Sequence, residues 1–304
     1  MRLFGRFRRA PQQTPDKGTA PKRWSWFAGR RLLLTSPYVL PKDTAEGGRL
    51  DLQHHLLKVA FGRNYASRLR APRMILDVAC GTGAWGRDLA LEFKRAQVIG
   101  FDFDRTPLEA ALKLAGSDGR FPTNFHFVEA DALKRFPFED NTFDFAFARL
   151  IAPFVPAAQW PHVVREMVRV TRLGGSVEVA DSGGFPVSPS PAFTALVEAM
   201  KRLMGQRGLY TEPGPHLADL LSQGGVSRVK VRHVSVGTGN NALRQQRMLA
   251  ADMLSAGATM APIFAKLGMF SQEECDALLA RAREEVARMG ITWNFTWAFG
   301  VKLN

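Results

Sequence analysis

The sequence predicts an α/β protein: a parallel sheet with helices on both faces. Three observations carry that reading. From Arg73 onward, short apolar runs rich in Val, Ile and Phe alternate with helical stretches. A glycine cluster sits between the first such run and the first helix. Of the 304 residues, 46% are hydrophobic and 23% charged, an ordinary balance for a chain with a solid core and not for a disordered one.

Five runs read as buried strands: Met74–Val78, Gln97–Phe103, Asn124–Ala130, Thr142–Ala148 and Ser176–Ala180. Between them, Trp85–Phe93, Thr106–Leu114 and Pro161–Thr171 read as helices, with Gly174-Gly175 as the stop of the last. Strand–helix–strand alternation implies right-handed crossovers and a parallel sheet. Beyond it, Ala192–Met204 reads as a helix. Arg228–Val236 alternates Val with Arg, Lys, His and Ser, the pattern of a strand with one exposed face. Leu243–Leu267 and Gln272–Met289 form a helical pair, and Phe295–Leu303 a closing strand.

The charge is uneven. The whole chain carries +13, but residues 1–35 hold nine Lys and Arg against Asp16 alone, a net +8. That segment mixes Pro, Gln, Thr and Gly, and is expected to be a flexible basic tail with an affinity for anionic surfaces. Leu3, Phe4 and Phe7 beside Arg2, Arg6 and Arg9 admit two readings, a short membrane-surface or transit element and a solvated tail. Residues 36–304 are expected to form one domain. Cys80 and Cys275 make no disulfide framework and show no metal-ligand spacing, so a reducing, cytoplasmic setting is expected. No stretch approaches the roughly 18 consecutive apolar residues of a membrane span.

The chemistry concentrates in Asp77-Val-Ala-Cys-Gly81-Thr-Gly83-Ala-Trp-Gly86. Glycines there permit a tight turn and close approach of a ligand to backbone N–H groups. Asp102 closes the second strand, where a carboxylate can accept from both hydroxyls of a ribose. Turn plus acid indicate a nucleoside-cofactor site, and both NAD and S-adenosylmethionine meet that description. Asp77 tips the balance. A carboxylate four residues before Gly81 suits an ammonium or sulfonium ligand and not a pyrophosphate. Asp131, after the third strand, is placed to accept from an adenine amino group.

Taken in order, Ile75-Leu-Asp-Val-Ala-Cys-Gly-Thr-Gly83, Val98-Ile-Gly-Phe-Asp102, Glu129-Ala-Asp131, Phe138-Glu-Asp-Asn-Thr-Phe-Asp144 and Arg165-Glu-Met-Val-Arg-Val-Thr-Arg-Leu-Gly-Gly175 resemble the class I S-adenosylmethionine-dependent methyltransferases. The resemblance spans about residues 73–181. It implies a Rossmann-like, seven-stranded, mostly parallel sheet with an antiparallel last strand. Arg228–Val236 and Phe295–Leu303 would be its sixth and seventh strands. It implies S-adenosyl-L-methionine as cofactor, with Ala79, Gly81 and Gly83 along the methionine part. Asp102 and Phe103 would then lie by the ribose, Asp131 and Ala132 by the adenine, and Arg149 near the methyl. Two positions depart from the family pattern: Ala79 replaces its first glycine, and Leu173 a proline.

Tyr38-Val-Leu-Pro-Lys-Asp43-Thr-Ala-Glu46 followed by Arg49-Leu, Gln53-His54-His55 resembles a segment that precedes the core in some small-molecule methyltransferases, regulator-like members included. On helical spacing Glu46, Arg49 and Gln53 share one side. Such a helix is expected to cross above the strand carboxyl ends and cap the cofactor through Tyr38, Arg49, Gln53 and His54. The competing picture is a surface helix with ordinary solvated histidines.

Methyl transfer is an in-line displacement in which positioning dominates, and a base matters only where the acceptor must lose a proton. His54 and His55 are the candidate bases by location, with Arg149 beside the methyl. His126, His162 and His233 read as structural or surface residues. Tyr210-Thr-Glu212-Pro-Gly-Pro-His216 is either an acceptor-contacting loop or a plain one. Met248, Met253, Met260, Phe264 and Met269 either roof a pocket or pack a layer. The expected reaction is methylation of a small organic acceptor by a monomer or homodimer. A cofactor-binding regulator without turnover and an RNA methyltransferase are the alternatives. Ala148-Arg149-Leu150-Ile151-Ala152-Pro153-Phe154 lacks the Asn/Asp-Pro-Pro-aromatic signature that holds an exocyclic base amine, so no specific nucleic acid is expected.

Overall fold

The computed structural model describes residues 24–27, 30–33, 44–109, 122–238 and 244–304. Tyr38, Met1–Arg9 and the second half of the expected helix Thr106–Leu114 lie outside the described residues. Within the stretch expected to be a flexible tail, β1 (Trp24–Phe27) and β2 (Arg30–Leu33) pair as an antiparallel ribbon. Helix α1 (Thr44–Phe61) follows.

The main sheet takes its first strands from β3 (Met74–Val78), β4 (Gln97–Asp102), β5 (Phe125–Glu129), β6 (Phe143–Arg149) and β7 (Thr171–Ser182). Helices α2 (Ala84–Glu92) and α3 (Trp160–Val170) lie between them in sequence. Then come α4 (Pro191–Gln206), α5 (Leu217–Gln223), β8 (Val226–Thr238), α6 (Arg244–Lys266), α7 (Gln272–Met289) and β9 (Ile291–Lys302). The seven strands run in the order β5-β4-β3-β6-β7-β9-β8. The first five are mutually parallel, and β9 is antiparallel to both neighbours, β7 and β8. This is the Rossmann-like sheet with an antiparallel last strand that the sequence implied.

Alternation along each strand sorts the core into two faces. Leu76, Val78, Ile99, Phe101, Ala146 and Val177 meet Trp160, Val163 and Met167 of α3 and Leu217 and Leu221 of α5. On the opposite face Ile75, Val98, Phe145 and Phe147 meet Leu56, Leu57 and Phe61 of α1 and Trp85 and Leu89 of α2. Trp85 stacks on Phe147 with centroids 4.0 Å apart, and Phe61 sets its ring edge against Phe295 and Trp297 of β9. Each such aromatic contributes about 1.5–3 kcal/mol by leaving water. Asp77 and Arg149 share the parity of this second face, so they emerge at the strand ends under α1.

A third cluster joins α4, α6 and α7 through Leu196, Leu203, Leu254, Met260, Phe264 and Leu279. Met260 and Phe264 are fully buried there. They form a packing layer; Met253 bridges it to the α1 face, and Met248 stays exposed.

One boundary differs from expectation. The glycines of Gly174-Gly175 do not stop α3. The helix ends at Val170, and Thr171 Oγ1 donates to the Met167 carbonyl at 2.7 Å, closing the last turn. Gly174, with φ +73°, and Gly175 lie inside β7, where the register against β6 jumps between Phe143 and Phe145. A Cβ at Gly175 would stand 2.9 Å from the Arg172 carbonyl oxygen, so a strand bulge, not a helix end, requires the glycine. Among the described residues no helix is long and apolar enough to cross a membrane.

Candidate functional site

The turn from β3 to α2 is built from left-handed residues: Ala79 at φ +55°, Gly81 at +56° and Gly83 at +73°. Two of the motif glycines are fixed by one ring. A Cβ at Gly83 would come within 2.7 Å of Phe125 Cζ, and one at Gly86 within 2.5 Å of Phe125 Cε2. Gly81 differs. A Cβ there meets nothing nearer than Leu50 Cδ1, 3.9 Å away, so Gly81 faces α1 across open space. Ala79 takes up the conformation of the missing glycine at a cost of about 1–2 kcal/mol.

Asp102 is locked beside this turn. Its Oδ2 accepts from the Gly81 N–H at 3.0 Å and its Oδ1 from the Asp104 N–H at 3.2 Å. Phe103 is half-buried next to it. Past β5, Asp131 Oδ1 accepts from the Leu133 N–H at 2.9 Å, a turn that seats the buried Ala132. Asp102 ends β4 and Asp131 lies just past the end of its parallel neighbour β5, so both stand at the carboxyl edge of the sheet.

Asp77 is buried, and its Oδ2 accepts from the Gly86 N–H at 3.1 Å. Burial pushes its carboxyl up to about 7; the Arg149 charge and the Gly86 bond pull against that rise, and Asp102 adds to it. Arg149, the last residue of β6, remains a cation although burial lowers it to about 10. Its Nη2 donates to His54 Nδ1 at 2.9 Å. A guanidinium only donates and a carboxylate only accepts, so His54 carries its proton on Nε2 and donates to Asp88 Oδ2, 3.1 Å away. Lys58 Nζ donates to the same Asp88 oxygen at 2.6 Å. Burial lowers His54 to about 4 despite the Asp88 bond, so the imidazole is neutral. Burial opposes ionisation of Asp88, but the His54 and Lys58 bonds outweigh it and hold the carboxyl well below the usual range.

Helix α1 thus lies over the turn, as its pattern predicts. Arg49 and Gln53, four apart, both reach Asp252 of α6: Arg49 Nη1 donates to Oδ2 at 3.1 Å and Gln53 Nε2 to the same oxygen at 3.2 Å. His55 is exposed on the outer side and tilts against His54 at 5.3 Å between centroids. His126 pairs with Gln97 and His233 with Thr296, both away from the turn. The Tyr210–His216 loop lies at the carboxyl end of β7. A Cβ at Gly214 would meet Gly183 Cα at 2.7 Å, and Tyr210 stacks on His216 at 4.6 Å. Three residues escaped the sequence reading. Asp88 and Asp252 carry no local signal. Asp181, whose Oδ2 accepts from Ile151 and Ala152 N–H and fixes the loop after Arg149, follows β7's apolar run and looks like a strand end.

Comparison with known proteins agrees with this geometry. Residues 75–175 match the family model of a methyltransferase domain. Over 105 residues the chain is 35% identical to a malonyl-[acyl-carrier protein] O-methyltransferase of Legionella pneumophila, covering 34% of either chain. Over 157 residues it is 36% identical to a demethylmenaquinone methyltransferase of Thermus thermophilus, covering 48% of this chain and 64% of that one. The matched part spans between a third and two thirds of the length of these curated relatives. Among solved structures, a chain of the complex between the Haloferax volcanii Trm112 methyltransferase activator and its methyltransferase superposes with a TM-score of 0.50 at 15% identity, over 86% of this chain and 96% of that one. The sheet is Rossmann-like, and the similarity to methyltransferases covers residues 75–175 in the family match. The cofactor of methyltransferases of this class is S-adenosyl-L-methionine, and the chemistry of the residues present fits it: Asp77 is a buried carboxyl beside the open Gly81, a surrounding suited to a cationic ligand, and Asp102 is a carboxylate at the end of β4.

Proposed function

We propose that the protein transfers a methyl group from S-adenosyl-L-methionine to a small organic acceptor. The observation that carries the reading is the Asp77 carboxyl, buried at the glycine turn within the field of Asp102. Even with the Arg149 charge and the Gly86 bond acting on it, burial leaves this carboxyl costly to ionise, and a ligand cation relieves that cost.

When bound, the cofactor supplies an electrophilic methyl on a sulfonium. The chain's residues hold and orient. Asp77 faces the cationic end, the Gly81–Gly83 turn and Ala79 admit the methionine part, Asp102 and Phe103 take the ribose, and Asp131 with Ala132 the adenine. Tyr38, Arg49 and Gln53 complete the cap. Arg149 stands near the methyl as a fixed cation, oriented through His54. Both ring nitrogens of His54 are occupied, so its role is to hold Arg149 and not to take a proton. His55, on the exposed side of α1, is the weaker base candidate. The Tyr210–His216 loop bounds the acceptor side at the end of β7.

Residues 36–304 act as one cytoplasmic unit in this reading, monomeric or homodimeric, with α1 as cap and residues 241–290 as a helical insertion. The deciding experiment is calorimetry with S-adenosylhomocysteine. Asp102→Ala weakens binding by about tenfold or more, or about 1.4 kcal/mol. Undiminished affinity in that variant would sink the site.

A further inference from the structure

The methyltransferase-domain match ends at residue 175, yet a carboxylate from far beyond it reaches the capping helix. Asp252 sits on α6, in the stretch between β8 and β9. Its side chain is 1% exposed, and Arg49 opposite is 11% exposed. Two donors one helical turn apart on α1 converge on a single oxygen, at 3.1 and 3.2 Å. Leu50, the neighbour of Arg49, is the residue that faces Gly81. The tie therefore lies directly behind the part of α1 that covers the turn.

We propose that Asp252 is a positioning residue for the cofactor: it fixes Arg49 and Gln53 and latches the helical insertion over the cap, so that α6 closes the cofactor site. This rests on the reading of the Gly81 turn as that site. The physical reason is directional. A long Arg side chain on an exposed helix would sample many rotamers, and ordering it only when a ligand binds costs affinity. A charge-assisted bond to a buried carboxylate orders it beforehand. Gln53 on the same oxygen fixes the rotation of α1 about its axis. Helix α2 clamps α1 from another side: Asp51 pairs with Arg87 at 3.1 Å, and Lys58 in the last turn pairs with Asp88. Asp252 adds the charged tie from the α6 side.

The test compares wild type with Asp252→Ala, Asp252→Asn and Asp252→Glu in the full chain, using S-adenosylhomocysteine as probe. Stopped-flow dissociation, and KM against kcat for the donor, are the readouts. Asp252→Ala dissociates the probe about tenfold faster, with the loss falling on KM rather than kcat. Asp252→Asn, which keeps an acceptor but not the charge, falls between, and Asp252→Glu recovers most of the affinity. Wild-type dissociation rates in both Asp252→Ala and Asp252→Asn overturn the proposal. So does a loss confined to kcat, which is what general damage to the fold would give. A wild-type protein with no affinity for the probe overturns the functional reading itself, and this proposal with it.

Discussion

Arg149 Nη2 lies 2.9 Å from His54 Nδ1, and that bond ties the end of the central strand β6 to the helix laid over the sheet. It settles the tautomer of the imidazole, the direction of its bond to Asp88, and the orientation of a cation at the strand end. Arg149 is further held in the field of Asp77 on the adjacent strand β3.

The first prediction concerns the role of His54. A ring that accepts from Arg149 and donates to Asp88 has no free nitrogen for an acceptor's proton. His54→Ala should therefore act by releasing Arg149. We expect kcat/KM to fall by about tenfold and stability by about 1–3 kcal/mol, the cost of leaving a buried partner unsatisfied. Since burial holds His54 near 4, the wild-type pH–rate profile shows no His54 limb close to neutrality. A limb near the ordinary histidine value that vanished in His54→Gln would refute this role.

Asp77 yields a prediction with a definite sign. Its folded value, about 7, lies above the ordinary 3.8, so between those values the folded protein holds a proton the unfolded chain has released. That stability is complete in acid and is lost as pH rises through about 7. Glu178, also pushed by burial to about 7, and Asp181, to about 6, act in the same direction on stability. Ligand binding separates them. A cationic ligand favours ionised Asp77, so affinity for S-adenosylmethionine should rise with pH through about 7, with proton release. Calorimetry near neutral pH in two buffers of different ionisation enthalpy measures that proton. Asp77→Asn should abolish the release; a release that persisted would assign it elsewhere.

The strands were legible because each is a short Val, Ile or Phe run bounded by polar residues, and Met74–Val78 agrees to the residue. Asp77, Gly81, Gly83 and Asp102 were legible for a related reason: their roles arise within one strand–turn–helix unit and the strand beside it. Asp252 was not, because nothing around it in sequence announces a partner 203 positions away. The same holds for Asp88, which reads as a solvated helix residue until α1 is laid across it. Gly174-Gly175 misled because a glycine pair after a helix looks alike whether it ends the helix or kinks the following strand. The histidines misled by proximity: adjacent in sequence, His54 is buried between Arg149 and Asp88 while His55 is exposed.

Gly86 offers a test of the packing that shapes the turn. A Cβ there would lie 2.5 Å from Phe125 Cε2 and 3.1 Å from Asp77 Oδ2. Gly86→Ala should destabilise by about 1–3 kcal/mol, as overpacked cores do, and weaken cofactor binding by moving Asp77. Phe125→Leu in the same chain makes room for the methyl. Denaturant unfolding of the two single variants and the double should therefore show the double less destabilised than the sum. Strict additivity would mean that the ring is not what forbids a side chain at Gly86.

The last prediction concerns charge. Residues 1–35 carry a net +8 of the chain's +13, so their removal leaves a mild +5 on the body that holds the site. Affinity for a polyanion falls with salt in proportion to the phosphates neutralised, with a slope of about −0.7 per contact for single strands. The 304-residue chain should bind single-stranded RNA and anionic vesicles weakly and with a steep salt dependence. Deleting residues 1–35 should remove that binding and leave the affinity for S-adenosylhomocysteine unchanged, because Asp77, Asp102 and Arg149 all lie in the body. The informative alternative is a truncated chain that still binds RNA with a steep slope. The cations responsible would then belong to the body, where Arg228, Lys230 and Arg232 follow one another on the edge strand β8. A nucleic-acid acceptor would regain ground over a small organic one, and charge reversal at Lys230 would decide between them.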